Sequence, residues 1–551
     1  MMATKTIGFS NDILLIIFRH YIDASPPFWF KLAHVCQTWR QIIFASPWSL
    51  CLRLHCTYGT PVVKNLDLWP PLPLVVNYGG FPTLPPPSPE DEDNIMAALE
   101  HSGRVCSISL TVSRSLLKKL STISKPFSEL EVLVLLSQGK VQLTLPSVFW
   151  WGYRLRTLHS SRIPFPSLPQ LLFPSQDLVD LQLQEIPSEG YFSPEAFADS
   201  LCGMTQLETL SLHFLSFPPR RNYLSLPPQP ENRILLPALT YFKYRGISKY
   251  LDTLVARINA PHLGYLEITF FSQPTLDTSQ LGRFINRIET WTSPLQADIV
   301  PSERAILVTI TESGEEALTR LRLQISCEQL DWQLSSISQI CDHFSSFLLS
   351  VEDLRIKTAG PPSLSGDMDD EQWLRLIRAF DGVKDFYSAA DEIGTDVMRA
   401  LHSPDEGNKT VLPALRNLCV SSIPKLGPLR DLVESFVAQR RRSSQYVNLF
   451  YVSWSTAEET ASAKRWVKEQ KRTIIDRSLF IFLTQINFFL SISFPSGFDG
   501  VTSCPVQDSR EYTRNLERLD RVLGHIEKYI HIAFAVLKIK DLVRGMLATV
   551  S

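Results

Sequence analysis

A six-residue pattern recurs along most of this chain and constrains its fold more than any other feature. "VCSISL" begins at Val105, "LEVLVL" at Leu130, "LRTLHS" at Leu155, "LVDLQL" at Leu178 and "LETLSL" at Leu207. "LTYFKY" begins at Leu239, "LGYLEI" at Leu263, "LTRLRL" at Leu318, "VEDLRI" at Val351, "VKDFYS" at Val383 and "LRNLCV" at Leu415. Each is close to L-x-x-L-x-L, and most start roughly 23 to 33 residues apart. Successive side chains of a strand point to opposite faces, so Leu181 and Leu183 turn inward while Asp180, Gln182 and Gln184 face solvent. One such unit cannot bury its own apolar face. The repeat therefore predicts stacked strand–helix units, with the hexamers as neighbouring strands of one curved parallel sheet and helices on its convex side. Helix-like stretches such as Ser193–Met204 and Ser279–Trp291 fill the intervals. The step from Leu263 to Leu318 is double and holds "RAILVTI" (Arg304–Ile310), which predicts an extra strand. Unrelated strands of a doubly wound domain are the competing reading, without the glycine-rich phosphate loop common in such folds.

The flanks differ in texture. Residues 1–58 carry two helical patterns. Ile13, Leu14, Ile17, Phe18 and Tyr21 recur at helical spacing behind Asn11 and Asp12. In "KLAHVCQTWRQIIFASP" (Lys31–Pro47), Leu32, Val35, Cys36, Trp39 and Ile43 form one apolar stripe of a single helix. So short a unit cannot bury every apolar side chain it carries. A proline-rich connector is expected at 59–88, with Ser88 capping the helix that follows. The repeat then runs over 89–452. The last segment, 453–551, reads as a mostly helical tail with a heptad-like seam at Leu516, Leu519, Leu523, Ile526, Ile530 and Ala533. The whole is an α/β repeat class, with a small helical unit ahead of it and a helical tail behind.

Composition excludes several functions. Lys+Arg is 54 against Asp+Glu 56, a net charge of -2, so no global field draws nucleic acid or an anionic membrane. The nine cysteines are scattered without a C-x-x-C pair, which argues for free thiols in a reducing compartment, cytoplasmic or nuclear. Ser478–Phe494 is apolar but interrupted by Gln485 and Asn487, shorter than the ~20 residues a membrane helix needs. No nucleophile elbow, phosphate loop or metal-binding histidine pair occurs, so no catalytic residue, cofactor or metal site is expected.

Two features together resemble a known family. "DILLIIFRHYI", "KLAHVCQTWRQI" and "ASPWSLCLRL" are similar to the three parts of an F-box motif, and the whole chain resembles fungal F-box-like proteins with degenerate leucine-rich repeats. The usual leading Leu-Pro is replaced by Gly8-Phe9-Ser10. The resemblance implies a substrate-recognition subunit that docks on a Skp-type adaptor and, through it, a cullin ubiquitin ligase. It places the docking surface at Ile13, Leu14, Ile17, Phe18, Leu32, Val35, Cys36 and Trp39. The alternative is a leucine-rich-repeat scaffold whose degenerate F-box joins no ligase.

Strand alternation also singles out a face for the protein substrate. Tyr241, Lys243, Arg245, Tyr265, Glu267, Thr269, Arg320, Arg322, Gln324, Asp353, Arg355 and Lys357 point to the concave side. Six are cationic and two acidic. A basic stripe of Lys243, Arg245, Arg320, Arg322, Arg355 and Lys357 beside Tyr241 suits an acidic or phosphorylated segment. The competing reading is a solvated sheet whose cations pair with nearby acids.

Overall fold

The computed structural model describes residues 10–452 apart from short breaks, the longer ones at 80–85, 138–153, 218–232, 358–369, 403–409 and 422–427. The expected tail at 453–551, with its apolar stretch and its seam, lies outside the described residues.

Three helices open the chain: α1 (Asn11–Ala24), α2 (Trp29–Ala33) and α3 (Gln37–Ala45). The single stripe expected over Lys31–Pro47 is broken. His34 ends α2, and Cys36 is extended at φ −157 and ψ 170, its Sγ accepting the Trp39 N–H at 3.4 Å as the cap of α3. Leu32 and Trp39 thus sit on different helices. Their shared spacing was a coincidence of two short helices at an angle, each apolar inward.

The strands follow as β1 (Leu54–Thr57), β2 (Leu74–Tyr78), β3 (Val105–Val112), β4 (Val132–Ser137), β5 (Thr157–Ser161), β6 (Asp180–Ile186), β7 (Thr209–Phe214), β8 (Ile234–Leu235) and β9 (Tyr241–Gly246). Then come β10 (Ile258–Asn259), β11 (Tyr265–Phe270), β12 (Leu295–Ser302), β13 (Ala305–Glu312), β14 (Thr319–Ser326), β15 (Val351–Ile356), β16 (Asp385–Ser388), β17 (Asn417–Ser421) and β18 (Asn448–Val452). All but β8 and β10 join one sixteen-stranded sheet, ordered β1-β2-β3-β4-β5-β6-β7-β9-β11-β14-β13-β12-β15-β16-β17-β18. All eleven hexamers supply strands of it. Leu181, Leu210, Leu266 and Leu321 are fully buried, and alternation sets them on the face that the helices cover.

Two expectations need correction. The sheet begins before residue 89: β1 lies inside the expected F-box unit, and β2 with the helix Val62–Leu68 inside the expected connector. Leu54, Cys56, Leu74, Val76 and Tyr78 alternate inward although neither strand carries the hexamer, and Pro71 and Pro73 precede β2 rather than interrupt it. Nor are the hexamers all neighbours. β14 and β15 are separated by β13 and β12, and β13 runs antiparallel to both of its neighbours. A parallel neighbour needs a long crossover, whereas only two residues separate β12 from β13 and six separate β13 from β14. The double step therefore holds, after the helix Ser279–Ile285, three consecutive eight-residue strands paired as a meander.

Several helices start on side-chain caps. Ser88 and Asp91 form a reciprocal capping box on Pro89–Leu99, while Ser113 and Ser193 cap Arg114–Leu120 and Pro194–Ser200. Asp252 reaches between repeats and accepts the Gln280 and Leu281 N–H groups at 2.8 and 2.9 Å, at the start of the helix Ser279–Ile285. Burial pushes its carboxyl up to about 6. Gly282 on that helix has no room for a side chain: a Cβ would lie 2.2 Å from the His343 carbonyl oxygen.

Candidate functional site

The helical unit has a core of its own. Leu14, Phe18, Ile22, Trp29, Leu32, Ala33, Ile42 and Ile43 cluster with Leu50, Leu52 and Leu72, separately from the sheet core. The Trp29 indole N–H donates to the Arg53 carbonyl at 2.7 Å, tying the unit to the chain just before β1. The expected docking residues therefore divide. Leu14, Phe18 and Leu32 are buried and hold the unit together, and Trp39 packs at 4.7 Å on Phe18. Ile13 is 46% exposed, Ile17 43% and Val35 59%, and Cys36 is exposed. Ile16, not among those expected, is 58% exposed. At 100° per residue Ile13, Ile16 and Ile17 share one face of α1, turned away from the Leu14–Phe18–Ile22 side.

On the open face of the sheet, register builds continuous rows across the strands. One runs His159, Gln182, Ser211, Lys243, Glu267, Arg322, Thr309, Asp298, Arg355, Tyr387 and Cys419. Its charges alternate in sign. The expected cations lie on this face, but they do not form a basic stripe. Lys243 pairs with Glu267 at 3.1 Å, Arg320 with Glu312 at 2.5 Å and Lys357 with Asp298 at 3.3 Å. Arg355 stacks over the Tyr387 ring at 4.8 Å. Glu312 and Asp298 sit on β13 and β12, the inserted strands that the hexamer pattern skipped. The alternation in "LQADIVPS" already placed Asp298 on the open side, and applying it there would have found the partner of Lys357.

Arg245 and Arg322 remain exposed with no carboxylate partner among the described residues. The Arg245 guanidinium lies 5.9 Å from the Phe271 ring centre, and Phe271 packs at 5.3 Å on Phe217, itself 55% exposed. Tyr241 and Tyr265 stack with centroids 5.0 Å apart, and burial with the Glu267 charge raises both phenols. Beside them on β7, His213 is driven down to about 4, first by burial and then by Lys243. Farther along, burial and Asp385 push Asp353 up to about 6.

A cavity of about 390 Å³ lies between the helical unit and the first repeats, and its lining includes Arg53, Arg104, Arg154, Glu129 and Glu131. Its charges are largely internal pairs, Arg154–Glu129 at 2.5 Å and Arg53–Glu131 at 3.5 Å. Among the described residues no group of three or more His, Cys, Asp or Glu is arranged to hold a metal ion, and no helix is long and apolar enough to cross a membrane.

No family model and no curated protein matches the chain. Among solved structures, the chain is similar to a crystal structure of a TLR13–ssRNA13 complex at 12% identity and a TM-score of 0.30. The match covers 72% of this chain and 49% of that one, so the chain spans about half the length of that structure. The sheet itself, in which eleven of the sixteen strands come from the leucine-rich hexamers and helices cover one face, makes residues 54–452 an α/β leucine-rich-repeat solenoid.

Proposed function

We propose that the chain is a substrate receptor of a Skp–cullin–F-box ubiquitin ligase, acting in the cytoplasm or nucleus. The helical unit docks on the Skp-type adaptor, and the open face of the repeat sheet binds a protein substrate. The observation that supports this reading is the division of α1: one side fills a private core, while Ile13, Ile16 and Ile17 stand exposed on the other. Exposed β-branched residues grouped on one helix face mark a surface that gains from a partner. Such a receptor has no bond-making step of its own, because holding a substrate beside the transferring enzyme is its contribution.

The docking set narrows to Ile13, Ile16, Ile17 and Val35, with Cys36 and the outer edge of Trp39. Purified full-length chain should capture purified Skp-type adaptor. Ile17→Asp with Val35→Asp should weaken capture at least thirtyfold while the melting temperature stays within a degree or two. A wild-type chain that captures no adaptor overturns the ligase reading and leaves a repeat scaffold.

A further inference from the structure

We propose that Ser211 and His213 on β7, with Arg245 on β9, form a subsite for one carboxylate of an acidic partner segment, an apolar side chain of which lies on Phe217 and Phe271. The inference rests on the reading that the repeat sheet binds a protein partner, and it names the chemistry that the sheet would recognise.

Four observations converge on it. The Ser211 hydroxyl and the His213 Nε2 are both buried without a hydrogen-bond partner, and Ser211 is only 3% exposed. Buried polar atoms normally find partners, so two orphans on neighbouring open-face positions of one strand mark a place where a ligand group would complete them. Register puts Ser211 beside Lys243 and His213 beside Arg245. Arg245 has no carboxylate partner among the described residues, and its guanidinium lies by the Phe271 ring, leaving its N–H fork for an acceptor. The exposed Phe217 ring packs on the half-buried Phe271 just past the C-terminal ends of β7 and β11, where an extended segment leaving the carboxylate site would place its next side chain.

The charge count selects a monoanion. Lys243 is already paired with Glu267 at 3.1 Å, so the subsite offers one uncompensated positive charge with three donor groups. That balances a carboxylate and leaves a phosphate dianion in excess. The groups facing His213 are Glu185 on β6, Lys243 and Arg245 on β9 and Glu267 on β11. In the free protein burial and the two cations keep its imidazole neutral. An arriving carboxylate offsets those cations and raises the imidazole, so binding takes up part of a proton and strengthens as pH falls towards 5.5.

The test uses the full chain and fluorescein-labelled degenerate nonapeptides with a central Glu and Phe two residues on, read by anisotropy. Matched sets carry Gln or phosphoserine at the centre. The Glu set should bind at least tenfold tighter than the Gln set, and at least twofold tighter at pH 5.5 than at 7.5. Arg245→Ala should abolish the preference for Glu. Ser211→Ala should reduce it severalfold while leaving the melting temperature unchanged or higher, because an orphaned buried hydroxyl is lost. His213→Gln should remove the pH dependence, and Lys384→Ala should change nothing. No preference in the wild type, a preference that survives both Arg245→Ala and Ser211→Ala, or a phosphoserine set tenfold tighter than Glu each overturns the assignment. Adaptor capture is measured separately: capture without peptide preference sinks only the subsite, and preference without capture sinks only the ligase reading.

Discussion

In the helical unit, α1 is apolar on both sides, and only one side is covered. Leu14, Phe18 and Ile22 fill the core, while Ile13, Ile16 and Ile17 meet solvent. In the middle of the repeat sheet the apolar residues are sorted by alternation: the inward positions of β9 and β11, Phe242, Tyr244, Leu266 and Ile268, are completely buried, and the outward ones of those two strands are polar or tyrosine. A strand of this sheet has its inward face covered by the helices packed on that side. A three-helix unit of this length has no such neighbours, so its excess apolar surface waits for a partner. The same side-chain chemistry thus reads as structure in one region and as interface in the other.

The sharpest way to break this contrast is to truncate cores. Trp29→Ala removes the centre of the small cluster and its bond to the Arg53 carbonyl, and should cost about 3–5 kcal/mol. Because that cluster is separate from the sheet core, amide exchange should rise in α1–α3 and leave β6 to β11 protected. Leu266→Ala should cost about 2–5 kcal/mol and loosen β9, β11 and β14 together, while Ile17→Ala should stay within about 0.5 kcal/mol in denaturant melts. Equal losses for Leu266→Ala and Ile17→Ala would erase the distinction between buried and waiting residues.

A smaller effect tests the outward face. Glu312 accepts from Arg320 Nε at 2.9 Å and Nη2 at 2.5 Å, and both side chains are mostly buried. Glu312→Gln leaves that guanidinium without its anion and should cost about 1–3 kcal/mol, measured by chemical denaturation. Arg322→Gln, on the next open position and exposed, should change stability by less than about 0.5 kcal/mol. If the two substitutions cost the same, the pairing has no structural weight.

The difference between the regions also explains what the sequence disclosed. The hexamers announced their strands because leucines at fixed spacing are needed wherever a strand is covered on one face. β1 and β2 escaped because Cys56, Val76 and Tyr78 do the same work without leucine, and the prolines around them read as a connector. The meander β12–β13–β14 was half visible: "RAILVTI" showed a strand, but parallel and antiparallel neighbours have the same alternation, so direction was not legible. The cations of the open face lie where alternation put them, yet the partners of Arg320 and Lys357, Glu312 and Asp298, come from the inserted strands. In the helical unit, spacing could not separate Phe18 from Ile17, since both are apolar and adjacent; only the packing of α2 and α3 decides which one is covered.

The smallest expected effect concerns two like charges that meet across neighbouring strands on the outward face. Asp353 on β15 and Asp385 on β16 are register neighbours, with Gln296 of β12 on the other side of Asp353. Glu352 lies next along the strand but pairs with Lys384 at 2.6 Å, and Arg355 is the nearest opposing charge on the same face. Asn417 donates to Asp385 at 2.5 Å, and Asn448 donates to Asn417 at 3.0 Å, so the Asp385 carboxylate is held in place. Burial and that carboxylate raise Asp353 from an ordinary 3.8 to about 6. Between those values the folded chain binds more protons than the unfolded one, so this group favours folding at low pH and its contribution falls as pH rises from about 4 to about 7. Asp353→Asn keeps a neutral, hydrogen-bonding side chain at the position. It should therefore raise stability above pH 7, leave it unchanged near pH 4 and flatten the slope between them. The difference between the denaturation midpoints of the wild type and the Asp353→Asn variant, followed from pH 4 to 8, isolates this pair from every other acid in the chain. A difference that does not vary with pH would show that the two carboxylates do not share a proton, and that the outward face is free of charge conflict at this pair of strands.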